Sequence, residues 1–158
     1  MKYFRAVAGV ILIFLLTECG FEILDENQLK NYKILEIREN GDKKTNFFIK
    51  NSLHNLLNSS ESTDKLIISI NTDKNKSIKE KNKKNQITKY NIIINSSIEL
   101  DFVDKNFKKT INLSKSNSYN VNTNHNITQN NEKNIEKNLM NELSEDIANK
   151  ILKIINEF

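Results

Sequence analysis

The sequence predicts an α+β fold: a four-stranded, mostly antiparallel sheet with two helices packed on one face, in the order strand-helix-strand-strand-strand-helix. Three observations carry this reading. Short Ile-rich runs between residues 32 and 121 alternate apolar with polar positions, the period of a strand with one buried face. Residues 45–57 and 131–156 instead carry apolar side chains at helical spacing. The chain has 158 residues, which suits one domain. Both helical stripes and the strands' apolar sides need cover, and two helices on one sheet face bury all of them in a single core.

The chain opens with Lys2 and Arg5, followed at 6–16 by AVAGVILIFLL, an unbroken apolar run. A membrane-spanning helix needs roughly 17–25 residues, so this run is too short to cross and fits the apolar region of an export signal. Leu16-Thr17-Glu18-Cys19-Gly20 comes next. A cysteine directly after such a region resembles the bacterial lipobox, in which the thiol receives a diacylglycerol, the signal is cut before the cysteine, and the new amine is acylated. Leu16 and Thr17 suit that motif, while Glu18 stands where Gly, Ala or Ser is usual. Residues 1–18 are therefore expected to be a lipoprotein signal peptide, Cys19 the lipidated residue, and 19–31 a tether. Residues 32–158 are expected to form a single periplasmic domain. Each buried methylene of an acyl chain contributes about 0.8 kcal/mol, and stable anchoring takes more than one chain. A diacylglycerol with an N-acyl chain on Cys19 meets that condition.

Tyr32-Lys33-Ile34-Leu35-Glu36-Ile37 reads as a short strand, with Ile34, Leu35 and Ile37 on its apolar side, and Asn40-Gly41-Asp42 as a turn. Over 45–57 a helix is expected, with Thr45 as its cap and Phe48, Ile49, Leu53, Leu56 and Leu57 on its apolar stripe. Asn58-Ser59-Ser60 ends it, and Leu66-Ile67-Ile68-Ser69-Ile70 is the next strand. From 74 to 89 the chain has seven lysines, one Glu, and only Ile78 and Ile87 as apolar residues. Such a run reads as a solvated loop or hairpin tip; the functional alternative is a patch touching phosphate or anionic lipid. Strand resumes over 90–94 and 97–103, with Ile98, Leu100 and Phe102 alternating, and again over 107–120, with Ile111 and Leu113. The Asn-rich stretch 122–126 reads as a loop. The last segment, 131–156, is the strongest helix: Ile135, Leu139, Leu143, Ile147 and Ile151 recur every fourth residue, with Thr128 or Asn130 available as a cap.

Several functions are excluded by composition. The formal charge is +4, but of the 24 basic residues only Arg5 and Arg38 are arginine. Lys, Asn and Ile supply 71 of the 158 residues, and these three have the most A/T-rich codons. The basicity follows codon usage, and the arginine forks that read nucleic acids are missing; no nucleic-acid partner is expected. No nucleophile-elbow, phosphate-loop or zinc-protease motif is present. With one Cys and two isolated histidines, His54 and His125, neither a cysteine-based zinc site nor a catalytic constellation can be assembled. Asp101 and Asp104 flank Phe102-Val103 as ordinary strand-end chemistry. The chain is read as non-enzymatic, with no metal and no cofactor beyond the acyl chains on Cys19.

Cys19-Gly20-Phe21 after a signal, the order of elements, and the segment Leu100-Asp101-Phe102-Val103 leading to Ser118-Tyr119-Asn120-Val121 together resemble a known family. A long helix opening near Glu132 and ending in LSEDIANKIL at 143–152 strengthens the likeness. The pattern is similar to that of the lipopolysaccharide-assembly lipoproteins of the LptE type, whose first strand and helix correspond to residues 32–57. The likeness spans nearly all of 19–158; Glu18 and the Lys-rich insertion are its departures. It implies a protein lipid-anchored to the outer membrane and facing the periplasm. There it would plug an outer-membrane β-barrel lipopolysaccharide-assembly protein and aid lipopolysaccharide insertion into the outer leaflet. The lysines best placed to meet lipopolysaccharide phosphates are Lys81, Lys83 and Lys84. The alternative reading is an auxiliary lipoprotein of another envelope lipid-transport complex.

Overall fold

The computed structural model describes residues 32–57 and 64–157; the signal, Cys19, the tether and the 58–63 connection lie outside the described residues. The elements are β1 (Tyr32–Gly41), α1 (Lys43–Leu57), β2 (Asp64–Lys81), β3 (Ile87–Phe102), a 3₁₀ turn (Val103–Lys105), β4 (Phe107–Asn120) and α2 (His125–Asn156). This is the expected order. The sheet runs β1-β2-β3-β4; β1 and β2 are parallel, and the other two pairs are antiparallel. A parallel pair needs a crossover, which α1 supplies.

Alternation decides which side is covered. Leu66, Ile68 and Ile70 of β2, Ile92, Ile94, Ile98, Leu100 and Phe102 of β3, and Ile111 of β4 are buried on one face. Ile49 and Leu53 of α1 and Leu139, Met140, Leu143, Ile147, Ile151 and Ile155 of α2 close over them. Full burial of such a side chain is worth about 1.5–3 kcal/mol, so this layer dominates stability. The opposite face carries Asn71, Asn95, Ser97, Asn112 and Ser114, which line a shallow hollow of about 360 Å³. Leu35, expected on the apolar side of β1, is exposed at 48% because the β1–β2 register slips between Ile34 and Glu36 and leaves Leu35 without a partner in the ladder.

The crossover turn is tightly determined. Gly41 has φ +91°, in the region that suits glycine, and its α-carbon faces the Thr72 backbone. Asp42, rather than the expected Thr45, satisfies the first turn of α1: its Oδ1 accepts from the Thr45 amide at 2.8 Å and the Thr45 hydroxyl at 2.6 Å. Thr45 is itself buried. The Thr72 hydroxyl donates to Asn46 Oδ1 at 2.6 Å, and Asn46 Nδ2 donates to the Asn40 carbonyl at 3.0 Å. Buried polar groups at this junction are thereby paired.

Two stretches are more ordered than expected. The Lys-rich run is mostly strand: the ladder continues from Lys74↔Ile94 to Lys81↔Ile87, leaving only 82–86 as the tip. Lysine has low strand propensity, but pairing with the Ile-rich β3 overrides it. Asn82 Oδ1 accepts from the Lys84 and Gln86 amides, and Asn85 takes φ 60°, so asparagine chemistry closes the tip. Of the Asn-rich stretch 122–126 expected as a loop, 122–124 precede the helix and only His125 and Asn126 belong to α2. Asn124 caps the helix by accepting from the Asn126 amide at 2.9 Å, which places His125 in the first turn.

Candidate anion-binding surface

The seven lysines of the β2–β3 arm do not form one cluster. Lys74 and Lys76 are two residues apart on a strand and share the helix-covered face. Lys74 Nζ lies 3.3 Å from Glu136 Oε1 and 3.8 Å from Asp42 Oδ2. Lys76 Nζ lies 2.7 Å from Glu132 Oε2 and 4.4 Å from the centre of the Tyr90 ring. Register slips between Ile78 and Lys81 shift the alternation beyond that point. Lys79 donates to Ser118 Oγ at 3.2 Å, and Lys89 pairs with Glu80 at 3.1 Å. Lys81, Lys83 and Lys84 are exposed at the end of the arm, and none takes part in an ion pair among the described residues. Of the expected cluster, only these three ammoniums remain as an open cationic tip.

The arrangement around Glu132 was not legible as a site in the sequence. Glu132 Oε2 accepts both from Lys76 and from the Tyr119 hydroxyl, each at 2.7 Å. Tyr119 is buried and stacks on Tyr90 with ring centres 5.7 Å apart. Partial burial pushes the Glu132 carboxyl up, but the hydrogen bonds from Lys76 and Tyr119 outweigh it and hold the group below its ordinary value. Burial likewise lowers Lys76, and its bonds to Glu132 and Tyr119 reverse the sign, so the ammonium is held above its ordinary value. Burial, with the hydrogen bond to Glu132, raises the Tyr119 phenol. One turn further along α2, Glu136 takes Lys74 from the sheet and Lys44 from α1, the latter at 3.5 Å. The signal was present as Glu132 and Glu136 at i, i+4 on a helix and Lys74 and Lys76 at i, i+2 on a strand. Only the fold shows that these two pairs meet.

His54 is exposed on α1, and His125 lies against Gln129 at 3.0 Å. Among the described residues no group of three His, Cys, Asp or Glu side chains could hold a metal ion, and no helix is long and apolar enough to cross a membrane.

No protein-family model matches the chain, and no curated protein sequence does either. Solved structures do match. Rare lipoprotein B from Shewanella oneidensis superposes with a TM-score of 0.52 at 12% identity, covering 77% of this chain and 94% of that one. The chain shares the fold of rare lipoprotein B. Lipoprotein B from Nitrosomonas europaea gives a TM-score of 0.56 at 11% identity, over 82% of this chain and 89% of its own. A minor lipoprotein from Acinetobacter baumannii gives 0.53 at 14%, over 75% and 92%. The agreement is one of backbone architecture, reached with few shared side chains.

Proposed function

We propose that this chain is a non-enzymatic lipoprotein, anchored to the periplasmic face of the outer membrane through acyl chains on Cys19. In this reading it is the plug and assembly partner of the β-barrel that inserts lipopolysaccharide into the outer leaflet. The observation that carries the reading is the fold shared with rare lipoprotein B, in a chain whose N-terminus has the layout of a lipoprotein signal. A lipid-tethered domain with a polar outer sheet face is suited to scaffolding and binding. Lys81, Lys83 and Lys84 then supply the contact to lipopolysaccharide phosphates, attracting them over a Debye length of about 8 Å at physiological salt.

The test is purification from detergent-solubilised outer membranes. Recovery with a β-barrel protein is expected; recovery alone, or with an inner-membrane permease, refutes the reading and favours an auxiliary lipoprotein of another lipid-transport complex. Cys19→Ser is expected to leave an uncleaved precursor held by residues 6–16, and labelled palmitate on that variant would overturn the anchor. Reversal of Lys81, Lys83 and Lys84 to Glu is expected to weaken lipopolysaccharide binding, more so at low salt, with the fold intact. Binding equal to wild type at low salt would reduce the tip to a solvated turn.

A further inference from the structure

Helix α2 is held in two different ways along its length. Every buried residue in it lies at or beyond Leu139. Residues 125–138 contribute none; Ile135 is only partly covered, and Ile127 is 44% exposed. What fastens this first half is mainly polar: Glu132 pairs with Lys76 and accepts from the Tyr119 hydroxyl, both on the sheet, while Glu136 pairs with Lys74 of the sheet and Lys44 of α1. Ion pairs that remain partly open to solvent, as these do, are individually modest and screened by salt. Beyond Ile135, which packs against the core, this segment has no buried apolar stripe to hold it down.

The surface beneath it has the features of an anion site. Lys74 and Lys76 project from the same face of β2, and the buried Tyr119 hydroxyl is aimed at the same carboxylate oxygen as Lys76. Two donors converging on one oxygen, backed by the stacked Tyr90–Tyr119 pair, hold an oxyanion in a set position. The carboxylates now on these donors are Glu132 and Glu136 of the chain's own helix, with Asp42 of the crossover turn 3.8 Å from Lys74. A phosphomonoester carries about −1.5 to −2 charges and three acceptor oxygens on one centre. It can thus replace both glutamates at once, where a single carboxylate replaces only one.

We propose that Lys74, Lys76 and Tyr119 form a phosphomonoester-binding site, masked in the resting protein by Glu132 and Glu136, and that binding lifts residues 125–138 from the sheet. This site is separate from the lysines of the hairpin tip, and it requires neither a barrel nor lipopolysaccharide.

The experiment is amide hydrogen exchange on the full chain in detergent, comparing 125–138 with 139–156. Sodium phosphate is set against sodium chloride and sodium acetate at matched ionic strength. A parallel arm uses phosphatidylcholine vesicles with and without phosphatidic acid, to separate a lipid headgroup from the free ion. Phosphate, phosphatidic acid or both are expected to speed exchange in 125–138 several-fold, with 139–156 unchanged. Glu132→Gln with Glu136→Gln should speed it by about tenfold without any anion, since two weak pairs are lost. Lys74→Gln with Lys76→Gln breaks the same pairs and should likewise speed exchange in 125–138, with phosphate adding nothing further and slow exchange in 139–156 reporting an intact fold.

Equal responses to phosphate, chloride and acetate would overturn the phosphate assignment, as would a phosphate response that survives the lysine substitutions. Exchange in 125–138 as slow as in 139–156, unmoved by the glutamine substitutions, would overturn the mask. None of these readouts depends on the barrel, so failure here leaves the proposed function standing, and the reverse also holds.

Discussion

Gly41→Ala tests the crossover between β1 and β2 directly. At φ +91° an alanine is strained, and a left-handed backbone costs a residue with a Cβ about 1–2 kcal/mol. The new Cβ would also overlap the Thr72 carbonyl oxygen and sit 2.8 Å from its carbonyl carbon, and neither backbone atom can rotate away. Relief requires the end of β1 to move off β2. That movement gives up the Asp42 amide to Thr72 carbonyl bond at 3.2 Å and pulls on the buried Thr72–Asn46 pair at 2.6 Å. Each such bond is worth about 0.5–1.5 kcal/mol net, more if a buried partner is left open. The total comes to about 2–5 kcal/mol, a large share of the roughly 5–15 kcal/mol typical of a whole domain. In urea, with a slope of about 2 kcal/mol per molar, the unfolding midpoint should fall by about 2 M with the slope unchanged. Asn40→Ala is the control, because it removes only the exposed 3.2 Å contact to Asn71 and should shift the midpoint little. A Gly41→Ala midpoint that matches this control would refute the argument that the turn is sterically closed.

Leu143 is fully buried between α2 and the sheet, so Leu143→Ala should cost about 2–5 kcal/mol by urea unfolding, whereas Leu35→Ala, at an exposed bulge, should cost under about 0.5 kcal/mol. Asp42→Ala removes the cap of α1 and the Lys74 contact together, and should cost about 0.5–2 kcal/mol, with Asn at the same position recovering most of it. Stability should also fall in acid. Burial raises Asp42 and Glu132, but bonds from Thr45 to Asp42 and from Lys76 and Tyr119 to Glu132 leave both below their ordinary values of 3.8 and 4.5. Their contribution is then complete above that range and is lost as pH falls through the folded values, so a thermal midpoint that stays level down to pH about 2 would contradict it. Glu132→Gln should flatten part of that acid limb without changing stability near neutrality by more than about 1 kcal/mol.

Periodicity in the amino-acid sequence was enough to determine the order of elements, the α+β class, the extent of β4 and the apolar stripe of α2. Each of these depends on residues that are near neighbours in the chain. Ile98, Leu100 and Phe102, or Leu139, Leu143 and Ile147, show their common face by spacing alone, and the structure buries them together. Element ends were less legible. Asn124 and Asp42 cap the helices where Thr128 or Asn130 and Thr45 were expected, since any of several short polar residues can serve and only the path of the chain selects one. Local composition marks 74–89 as a solvated loop or hairpin tip; 82–86 is that tip, but 74–81 and 87–89 are strand, a conformation that for 74–81 is imposed by the partner β3 and not by their own propensity. The meeting of Lys74 and Lys76 with Glu132 and Glu136 depends on contacts more than fifty residues apart in sequence. Nothing local marks those four residues as partners. Only the folded sheet, with α2 laid across it, brings their charges within reach and leaves Lys81, Lys83 and Lys84 at the tip.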